Sequence, residues 1–521
     1  MAAKDEGRRI LWVDDEINQL QAHIIFLQEK GFIVTPVPSG DDAISAVQSD
    51  DFDLVLLDEM MPGRDGLSTL EELKEIKPNL PVVMVTKSEE ENLMDQAIGR
   101  KISDYLTKPV NPSQILLVIK RLLDTKKIRG DQLTRDYVQS FNKLNQMISG
   151  PMDWNDWIDA YKQISAWEIE IGQFRDVGLA QTHEAQKREW NAEFSKYVER
   201  NYPEWLASED RPTLSVDIGK KYVIPHLKEG RRVFFIVVDC MRLDQWMNVQ
   251  PIIEEYFTVD LDHYISILPT ATPFSRNGIF LGDFPDRLEE LYPDLWRRPD
   301  DESSLNKYES DLMKVQLKRR RVKLDSEPVY AKVLEAAEGD NLARKISTYQ
   351  HAQLVSMVFN FIDILAHGRS ESDILQELAP NEDAFRSVTK SWFEHSSLLD
   401  ILKYLSTIDC RVVITTDHGA VIARRATLVK GKREASTNLR YKYGDNLHCN
   451  KKEVVFVDDP AKYRLPSFGM STTYIFARED YYFVYPTHYH KYESKYADTF
   501  QHGGISMDEM ILPVVTLSPK R

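Results

Sequence analysis

Hydrophobic residues follow two different patterns along this chain. Between residues 9 and 123, short apolar runs alternate with segments of helical spacing, such as Ile17, Leu20 and Ile24. The apolar runs occupy residues 10–13, 33–36, 54–57, 82–85 and 104–106. Runs of this length predict strands, and apolar positions three and four residues apart predict helices. Their regular alternation predicts a doubly wound α/β domain with a parallel sheet.

The pattern changes at about residue 124, where the strand-like runs end. Up to residue 208, aromatic and aliphatic residues recur at helical spacing, as in Trp157 and Tyr161, and Gly150 with Pro151 interrupts the first run. Such a stripe is typical of a helix face packed in a core. The segment 124–208 therefore predicts a three-helix bundle without chemistry of its own. The charged, proline-containing stretch 202–213 predicts a linker.

Strand patterns return after residue 208. Residues 233–238 and 412–416 are mostly apolar runs, as expected for strands that are buried on both faces of a parallel sheet. We therefore predict three domains, at residues 1–123, 124–208 and 209–521, and the last of these is again α/β. The polar segment 284–345 predicts a cap-like insertion within the third domain.

The composition narrows the function classes. Among 521 residues, 66 Lys and Arg against 82 Asp and Glu give a net charge of −16, which argues against a general nucleic-acid coat. The middle segment also lacks the basic recognition helix of a DNA-binding transcription factor. The first residues predict no secretory signal, three cysteines cannot build a disulfide framework, and the longest apolar stretch, 354–365, is too short for a membrane span. These features predict a cytoplasmic protein without a membrane span.

In the first domain, polar residues stand where the predicted strands end. Asp14 and Asp15 follow the first strand, Asp58 the third, Thr86 closes the fourth, and Lys108 follows the fifth. Ligands of doubly wound sheets bind at these strand ends. Three carboxylates at one edge repel each other, and a hard cation such as Mg²⁺ resolves the repulsion. Thr86 and Lys108 can then stabilise a phosphoryl group.

This set resembles the flavodoxin-like receiver domain of bacterial response regulators. The resemblance rests on DD at 14–15, LLDEMMPGRDG at 56–66 and YLTKP at 105–109. It implies that Asp58 accepts the phosphoryl group and that Thr86, Lys108 and the rotating aromatic Tyr105 form the switch. The implied Mg²⁺ ligands are Asp14, Asp15, Asp58 and the Met60 carbonyl. One residue departs from the pattern, because Lys87 stands where a small residue is usual after the switch hydroxyl.

In the third domain, carboxylates and imidazoles again follow predicted strands or share a helix face. Asp239 ends one strand, and Asp417 with His418 ends another. Asp363 and His367 are four residues apart on a helical run, which places both on one face. His502 stands in a glycine-rich loop. This mixture of ligands suits Zn²⁺ or Mn²⁺.

Two threonines are candidate nucleophiles, Thr270 and Thr272. Thr272 precedes Pro273, and proline is favoured at the first helical position, so Thr272 is predicted to be a helix N-cap. Its oxygen would then lie at the positive end of a helix, where a developing alkoxide is stabilised.

The constellation resembles the alkaline phosphatase superfamily, and its PglZ-type branch in particular. By this resemblance, Asp363, His367 and His502 hold one zinc. Asp239, Asp417 and His418 hold the other, with Thr272 bridging toward the substrate. Phosphodiesterase members place a glycine about ten residues after the nucleophile and a proline three residues later, as Gly282 and Pro285 do, which favours Thr272 over Thr270.

The order of receiver, helical bundle and PglZ-like domain resembles response regulators of type IX protein secretion. That resemblance implies a sensor histidine kinase upstream, and a sigma factor and a secretion-motor subunit as partners. We predict that phosphorylation of Asp58 produces a homodimer and controls a di-zinc phosphodiesterase. The basic cluster 424–433 favours nucleotide or oligonucleotide substrates. The alternative is a non-catalytic regulator that acts by protein contacts alone.

Overall fold

The computed structural model describes residues 8–87, 102–174, 177–296, 306–368, 372–431, 438–469, 471–487 and 489–520. The chain divides into two compact units, Met1–Phe141 and Asn142–Arg521. No helix among the described residues is long and apolar enough to cross a membrane.

The first unit contains a five-stranded parallel sheet with strand order β2-β1-β3-β4-β5. The strands are β1 Arg9–Val13, β2 Ile33–Val37, β3 Leu54–Asp58, β4 Val82–Thr86 and β5 Asp104–Thr107. The helices between them are α1 Gln21–Glu29, α2 Gly40–Ser49 and α3 Gly66–Ile76. This confirms the predicted flavodoxin-like fold. The helix expected between β4 and β5 falls outside the described residues.

Local sequence signals fix where these helices begin. The Ser39 hydroxyl accepts a hydrogen bond from the Asp42 N–H, and the Asp65 carboxylate accepts one from the Ser68 N–H. Each side chain thereby satisfies a backbone donor that the first helical turn leaves unpaired. Strands β3 and β4 are buried along their whole length, so the polar residues at their ends are held on a rigid edge.

Helices form the middle of the chain, as predicted. They are α4 Pro112–Ile148, α5 Trp154–Phe174 and α6 Val177–Ala207. Helix α4 contains the boundary between the two units. Leu144, Trp157 and Trp190 belong to the same hydrophobic cluster as Val237 and Ile511 of the C-terminal sheet. The part of the middle region after residue 141 therefore shares a core with the C-terminal region.

The predicted linker at 202–213 is wrong in its first part. Helix α6 continues through Pro203 to Ala207. Tyr202 is only 1% exposed, and its hydroxyl accepts a hydrogen bond of 2.8 Å from the Leu268 N–H. The prolines and charges suggested an open chain, but the burial of Tyr202 and Trp205 against the C-terminal region extends the helix.

The C-terminal region is built on a six-stranded mixed sheet with strand order β7-β19-β10-β6-β9-β8. Strands β10, β6, β9 and β8 run parallel, whereas β19 is antiparallel to both β10 and β7. These strands are β6 Val233–Val238, β7 Phe257–Ile265, β8 Val329–Val333, β9 Leu354–Phe359, β10 Arg411–Thr415 and β19 Ile511–Pro519. The predicted α/β class is confirmed.

The C-terminal region also contains helices, and its short strands form three separate small sheets among the described residues. The helices are α7 Ile224–Lys228, α8 Leu243–Glu254, α9 Thr272–Leu281, α10 Pro285–Leu291, α11 Glu309–Arg319, α12 Ala336–Lys345, α13 Phe361–Gly368, α14 Asp373–Leu378, α15 Glu382–Glu394, α16 Ser397–Leu405, α17 Tyr489–Tyr496 and α18 Met507–Met510. The short strands are β11 Val421–Ala423, β12 Arg425–Lys430, β13 Tyr441–Asp445, β14 His448–Cys449, β15 Val454–Val457, β16 Thr472–Ala477, β17 Tyr481–Val484 and β18 Thr499–Gln501.

The segment 284–345 contributes to the main body of the C-terminal region. Its strand β8 is the edge strand of the six-stranded sheet, paired with β9. Its helix α11 packs on α9, where the Gln316 amide donates to the carbonyls of Ile279 and Phe280 at 3.0 and 3.1 Å. Helix α9 ends at Leu281 and is followed by Gly282, which has a φ of +64° that favours glycine. The domain boundaries themselves stay predictions.

Candidate phosphorylation site and candidate metal centre

The first candidate site lies where β1, β3 and β5 end. Asp14, Asp15 and Asp58 offer carboxylate oxygens that lie within 4.8 Å of one another. Lys108 Nζ is 2.8 Å from both Asp14 Oδ2 and Asp58 Oδ2. Asp14 and Asp58 are buried, whereas Asp15 is exposed. The structure thus brings together four of the residues that the sequence singled out.

The charged groups of this site shift the pKa values of Asp58 and Lys108. Burial raises the pKa of Asp58, and the nearby Lys108 ammonium only partly offsets this effect. Burial opposes protonation of Lys108, but its bonds to Asp14 and Asp58 outweigh burial and raise the pKa of the amine. The three carboxylates leave an excess of negative charge beside one ammonium. An all-oxygen donor set of this kind fits Mg²⁺.

The switch residues have distinct surroundings. The Thr86 hydroxyl hydrogen-bonds to the Glu59 carboxylate, and Tyr105 is 41% exposed. Lys87 Nζ lies 3.8 Å from Glu16 Oε2 at the rim of the site. The Met60 side chain is exposed, and the role of its carbonyl as a ligand stays a prediction. The switch roles of Thr86 and Tyr105 stay predictions.

The second candidate site lies where β6 and β10 of the larger sheet end. Asp363, His367 and His502 offer ligand atoms within 4.8 Å of one another, and so do Asp239, Asp363 and His418. Helix α13 supplies Asp363 and His367 from one face, as the spacing predicted. Asp363 belongs to both groups, which the sequence did not indicate. The two groups are therefore adjoining halves of one centre.

Backbone carbonyls orient two of the imidazoles. His502 Nδ1 lies 3.1 Å from the Thr270 carbonyl, and His418 Nδ1 lies 3.2 Å from the Gly419 carbonyl. A carbonyl can only accept, so each Nδ1 carries the proton and each Nε2 presents a lone pair. The His502 and His367 Nε2 atoms are 3.0 Å apart. Ligand nitrogens are thus aimed into a common space.

Two buried carboxylate oxygens face these nitrogens. Asp363 Oδ1 and Asp239 Oδ1 have no hydrogen-bond partner among the described residues. They lie 3.4 Å from His367 Nε2 and 3.7 Å from His418 Nε2, respectively. Such buried oxygens beside imidazole lone pairs are costly unless a cation lies between them. The residues present therefore fit a borderline divalent ion such as Zn²⁺.

The ionisation of His502 and Asp363 suits metal binding. Burial, together with the neighbouring His418 and His367, holds the pKa of His502 well below its usual value. Burial alone would raise the pKa of Asp363, but the imidazoles of His367, His502 and His418 outweigh it and lower that pKa. His502 is therefore a neutral nitrogen donor, and Asp363 is an anionic oxygen donor.

Thr272 lies at the edge of this centre. Its Oγ1 is 3.0 Å from His418 Nε2. The prediction that Thr272 is an N-cap is wrong by one residue, because Ala271 occupies that position and Thr272 is already helical. The first turn tolerates Pro273 as its second residue, since the missing N–H would be unpaired there anyway. The Thr272 hydroxyl is consequently not used for capping.

Thr270 has a structural role instead. Its hydroxyl donates to the Gly504 carbonyl at 2.8 Å and accepts from the Gly503 N–H at 3.1 Å, which anchors the loop of His502. The loop after His418 depends on a close backbone contact instead. A Cβ at Gly419 would lie 1.9 Å from the Asp508 carbonyl oxygen. The loop after His418 can approach that backbone only with a glycine.

Sequence reasoning did not establish the role of Arg276. This arginine is fully buried and forms ion pairs with Asp239, with Asp417 at 2.9 Å and with Glu309 at 3.4 Å. The spacing of Thr272 and Arg276 places both on one face of α9, one turn apart. That spacing was a visible signal, but only the fold shows which carboxylates Arg276 meets.

Comparisons with known proteins agree with this arrangement. Three family models match: the response regulator receiver domain at residues 10–120, the PorX response regulator linker domain at 127–206, and the BREX system PglZ alkaline phosphatase-like domain at 218–517. The last of these covers more than half of the chain. The first and third matches contain the two candidate sites.

Similar proteins of known name match the first part of the chain. The transcriptional regulatory protein ResD of Bacillus subtilis is 34% identical over 115 residues, which are 22% of this chain and 48% of ResD. The alkaline phosphatase synthesis transcriptional regulatory protein PhoP of the same organism is 30% identical over 173 residues, 32% of this chain and 69% of PhoP. The chain thus spans about half the length of ResD.

A solved structure similar to this part is the response regulator TrrA of Thermotoga maritima in complex with Mg²⁺-BeF. It is 29% identical and has a TM-score of 0.21, over 22% of this chain and 99% of TrrA. The receiver match implies a kinase as phosphoryl donor, and both matched domain types generally use metal ions. The chain therefore belongs to the PglZ alkaline phosphatase-like family, in the domain order of a PorX-type response regulator.

Proposed function

We propose that phosphorylation of Asp58 in this response regulator controls a di-zinc phosphodiesterase in the C-terminal region. One observation carries the enzymatic part: Thr272 Oγ1 lies 3.0 Å from His418 Nε2, beside two adjoining groups of ligand atoms. A hydroxyl that is free of capping and touches a ligand imidazole has the placement of a nucleophile.

The proposed ligands divide between two ions. Asp363, His367 and His502 would hold the first zinc, and Asp239, Asp417 and His418 the second. When bound, the two ions supply Lewis-acid stabilisation of the attacking and leaving oxygens during an in-line displacement. The Asp363 carboxylate, which lies in both groups of ligand atoms, would fix the spacing between the two sites.

Thr272 would perform the covalent step. Its Oγ1 forms a bond to phosphorus while the bond from phosphorus to the leaving alcohol breaks, and the threonine proton ends on that alcohol. Water then cleaves the phosphothreonine ester and restores the hydroxyl. Helix α9 holds the attacking oxygen in place, because Pro273 and the three residues after it are buried.

The substrate class is proposed to be a diester. A monoester carries an additional negative charge, which a further cation in the site would have to offset. Arg276 is occupied by Asp239, Asp417 and Glu309, and Arg242 is occupied by Asp244 and Glu382. Neither of these buried arginines is therefore free to meet the additional charge of a monoester.

Nucleotide or oligonucleotide diesters are the first substrates to test, as the basic cluster 424–433 suggested. Arg424 forms an ion pair with Glu184, and Arg425 with Glu479 and Asp480. These two arginines offer less free charge than the sequence implied. Lys432 and Arg433 lie outside the described residues.

The deciding experiment compares substrates. Zinc-loaded full-length protein is expected to hydrolyse bis-p-nitrophenyl phosphate much faster than p-nitrophenyl phosphate, and to lose this activity in EDTA. A preference for the monoester would contradict the diester assignment. Absence of turnover on both esters, and on a panel of nucleotide diesters, would favour the non-catalytic regulator instead.

The regulatory part of the proposal concerns Asp58 and its partners. Mg²⁺ would bind Asp14, Asp15, Asp58 and the Met60 carbonyl, and a sensor histidine kinase would supply the phosphoryl group. The match to the PorX linker model supports a place in type IX secretion, with a sigma factor and a secretion-motor subunit as partners. Phosphorylation is proposed to produce a homodimer. Co-purification with these partners, with and without beryllofluoride, tests this part.

A further inference from the structure

Arg276 is one of the largest fully buried side chains of the protein, and it lies among carboxylates of the candidate metal centre. Its Nε is 2.9 Å from Asp417 Oδ2, its Nη2 pairs with Asp239 Oδ2, and its Nη1 is 3.4 Å from Glu309 Oε1. A planar guanidinium can hold several carboxylates in fixed directions, which a lysine ammonium cannot do. Arg276 therefore fixes the relative orientation of Asp239 and Asp417.

The opposite oxygens of the two aspartates have different surroundings. Asp417 Oδ1 accepts from the backbone N–H groups of His418 at 3.1 Å and Cys240 at 3.4 Å. Asp239 Oδ1 has no partner among the described residues and lies 3.7 Å from His418 Nε2. With its Oδ2 held by Arg276 and by the Asn360 amide at 2.7 Å, Asp239 can only turn Oδ1 toward the centre.

Glu309 holds the Arg276 side chain in place. Glu309, the first residue of α11, is fully buried, accepts a hydrogen bond from the Tyr330 hydroxyl and lies 3.5 Å from Lys332 Nζ. Glu309 thus connects α11 and β8 to the guanidinium. This anchor places Arg276 without using a ligand of the candidate metals.

The charges leave room for a cation. Three buried carboxylates, those of Asp239, Asp417 and Glu309, pair with Arg276, and Glu309 also lies near Lys332. The partly buried Asp363 adds a fourth carboxylate beside Asp239. A buried excess of negative charge is costly unless it is compensated. Arg276 pairs with Asp239 Oδ2 and Asp417 Oδ2, which leaves Asp239 Oδ1 without compensation where the metal ligands converge.

We propose that Arg276 is a positioning residue that holds Asp239 and Asp417 in register with Thr272 and so completes the second metal site. Thr272 and Arg276 lie one turn apart on α9, so a single helix presents the nucleophile and fixes the two carboxylates. Arg276 acts through these ligands and does not contact the substrate. This inference rests on the proposed second zinc site and goes beyond it by naming the residue that positions the ligands of that site.

The test is a zinc titration of full-length wild type and Arg276→Lys, followed by competition with a chelator. Lysine keeps the positive charge but lacks the planar guanidinium that binds several carboxylates in fixed directions. We expect the first zinc to bind as in wild type and the second to bind about 10- to 100-fold more weakly, the usual cost of removing a partner of a metal ligand. Turnover of Arg276→Lys should fall and should recover in part at high zinc concentration.

Two further variants separate this role from a general packing role. Glu309→Gln removes the anchor but leaves both aspartates and Arg276 in place, and it should weaken the second zinc in the same direction by less. Arg464→Lys changes another arginine that is bonded to one carboxylate, Asp286, at 2.6 and 3.2 Å, and it should leave zinc binding unchanged. Circular dichroism and urea unfolding identify the variants that are folded.

The outcomes are distinct. Unchanged affinity for the second zinc in a folded Arg276→Lys or Glu309→Gln variant would overturn the role of Arg276, whatever the enzyme hydrolyses. Weaker second binding would support it even if no phosphodiester is cleaved, because the titration needs no substrate. Wild type that binds only one zinc at saturation would overturn this inference together with the di-zinc proposal.

Discussion

The two candidate sites share one arrangement, a cation between two aspartates, but differ in their chemistry. In both, a cation bridges two aspartates at the ends of parallel strands: Lys108 between Asp14 and Asp58, and Arg276 between Asp239 and Asp417. The Lys108 side chain is 13% exposed, whereas that of Arg276 is fully buried. Lys108 can therefore meet an incoming phosphoryl group, and Arg276 can only hold its carboxylates.

The remaining ligands differ as well. The receiver site offers carboxylates alone, which suit Mg²⁺, whereas His367, His418 and His502 supply nitrogen to the second site, which suits Zn²⁺. In the receiver site the carboxylate of Asp58 would accept the phosphoryl group. In the second site the carboxylates would bind metal, and the hydroxyl of Thr272 would accept the phosphoryl group. Similar strand ends thus support signalling in one region and proposed hydrolysis in the other.

The largest expected effect is that of Thr272→Ala on turnover. If Thr272 is the nucleophile, its loss should lower the rate on bis-p-nitrophenyl phosphate by at least about 10³-fold, since nucleophile removal abolishes the covalent route. Zinc content should stay unchanged, because the carboxylates and imidazoles are intact. Thr270→Ser, which keeps the hydroxyl that anchors Gly503, is the matched control. Full activity of Thr272→Ala would show that the Thr272 hydroxyl does not accept the phosphoryl group, and the proposed difference between the two sites would then be wrong.

The second expected effect concerns metal content. Because Asp363 lies in both groups of ligand atoms, Asp363→Asn should weaken both zinc sites, whereas His367→Ala should remove about one zinc per chain. His418→Ala should likewise remove about one. Elemental analysis after dialysis against zinc-supplemented buffer measures this. Equal losses in Asp363→Asn and His367→Ala would show that the two groups are independent.

The third effect belongs to the receiver site. Beryllofluoride with Mg²⁺ should draw Thr86 and Lys108 toward Asp58, and Tyr105, now 41% exposed, should rotate inward and favour a homodimer. Light scattering should show about a two-fold rise in mass for wild type and none for Asp58→Asn. The expected surface includes the segment between β4 and β5, which lies outside the described residues. The same mass for wild type before and after treatment would contradict the dimer.

The smallest effect tests whether the middle helices are stabilised with the C-terminal region. Tyr202→Phe leaves the Leu268 N–H without its acceptor and should cost about 1–3 kcal/mol of unfolding free energy. Tyr222→Phe also removes a hydroxyl, but from a bond to the Asp262 carboxylate in an exposed environment, and it should cost less. Urea unfolding monitored in both regions should show the loss in the C-terminal transition and none in the receiver. An equal shift in both would contradict this.

The sequence predicted the sheets and the strand ends well because continuous apolar runs must be buried on both faces. It also predicted that Asp363 and His367 share a helix face, since that follows from helical spacing alone. It could not predict contacts between distant segments. Three features depend on packing between elements that lie far apart in the chain. They are the place of Asp363 in both groups of ligand atoms, the ion pairs of Arg276 and the burial of Tyr202.

Local rules also failed where two of them competed. Pro273 was expected at the first helical position, yet the helix begins one residue earlier, at Thr272. Both placements satisfy the geometry of proline, because the N–H groups of the first helical turn have no partner within the helix. The charged stretch after residue 201 looked like a linker, but the helix buries Tyr202 and Trp205 in the hydrophobic cluster and leaves the charge of Glu204 exposed to water.

The central claim is that two zinc ions and Thr272 form a phosphodiesterase centre. The most direct test is the rate of bis-p-nitrophenyl phosphate hydrolysis by metal-free full-length protein as zinc is added in steps. We predict little activity up to one equivalent, a rise with the second equivalent, and none at any step in Thr272→Ala. Full activity with one equivalent or in the presence of chelator, or no activity with two, would contradict the claim.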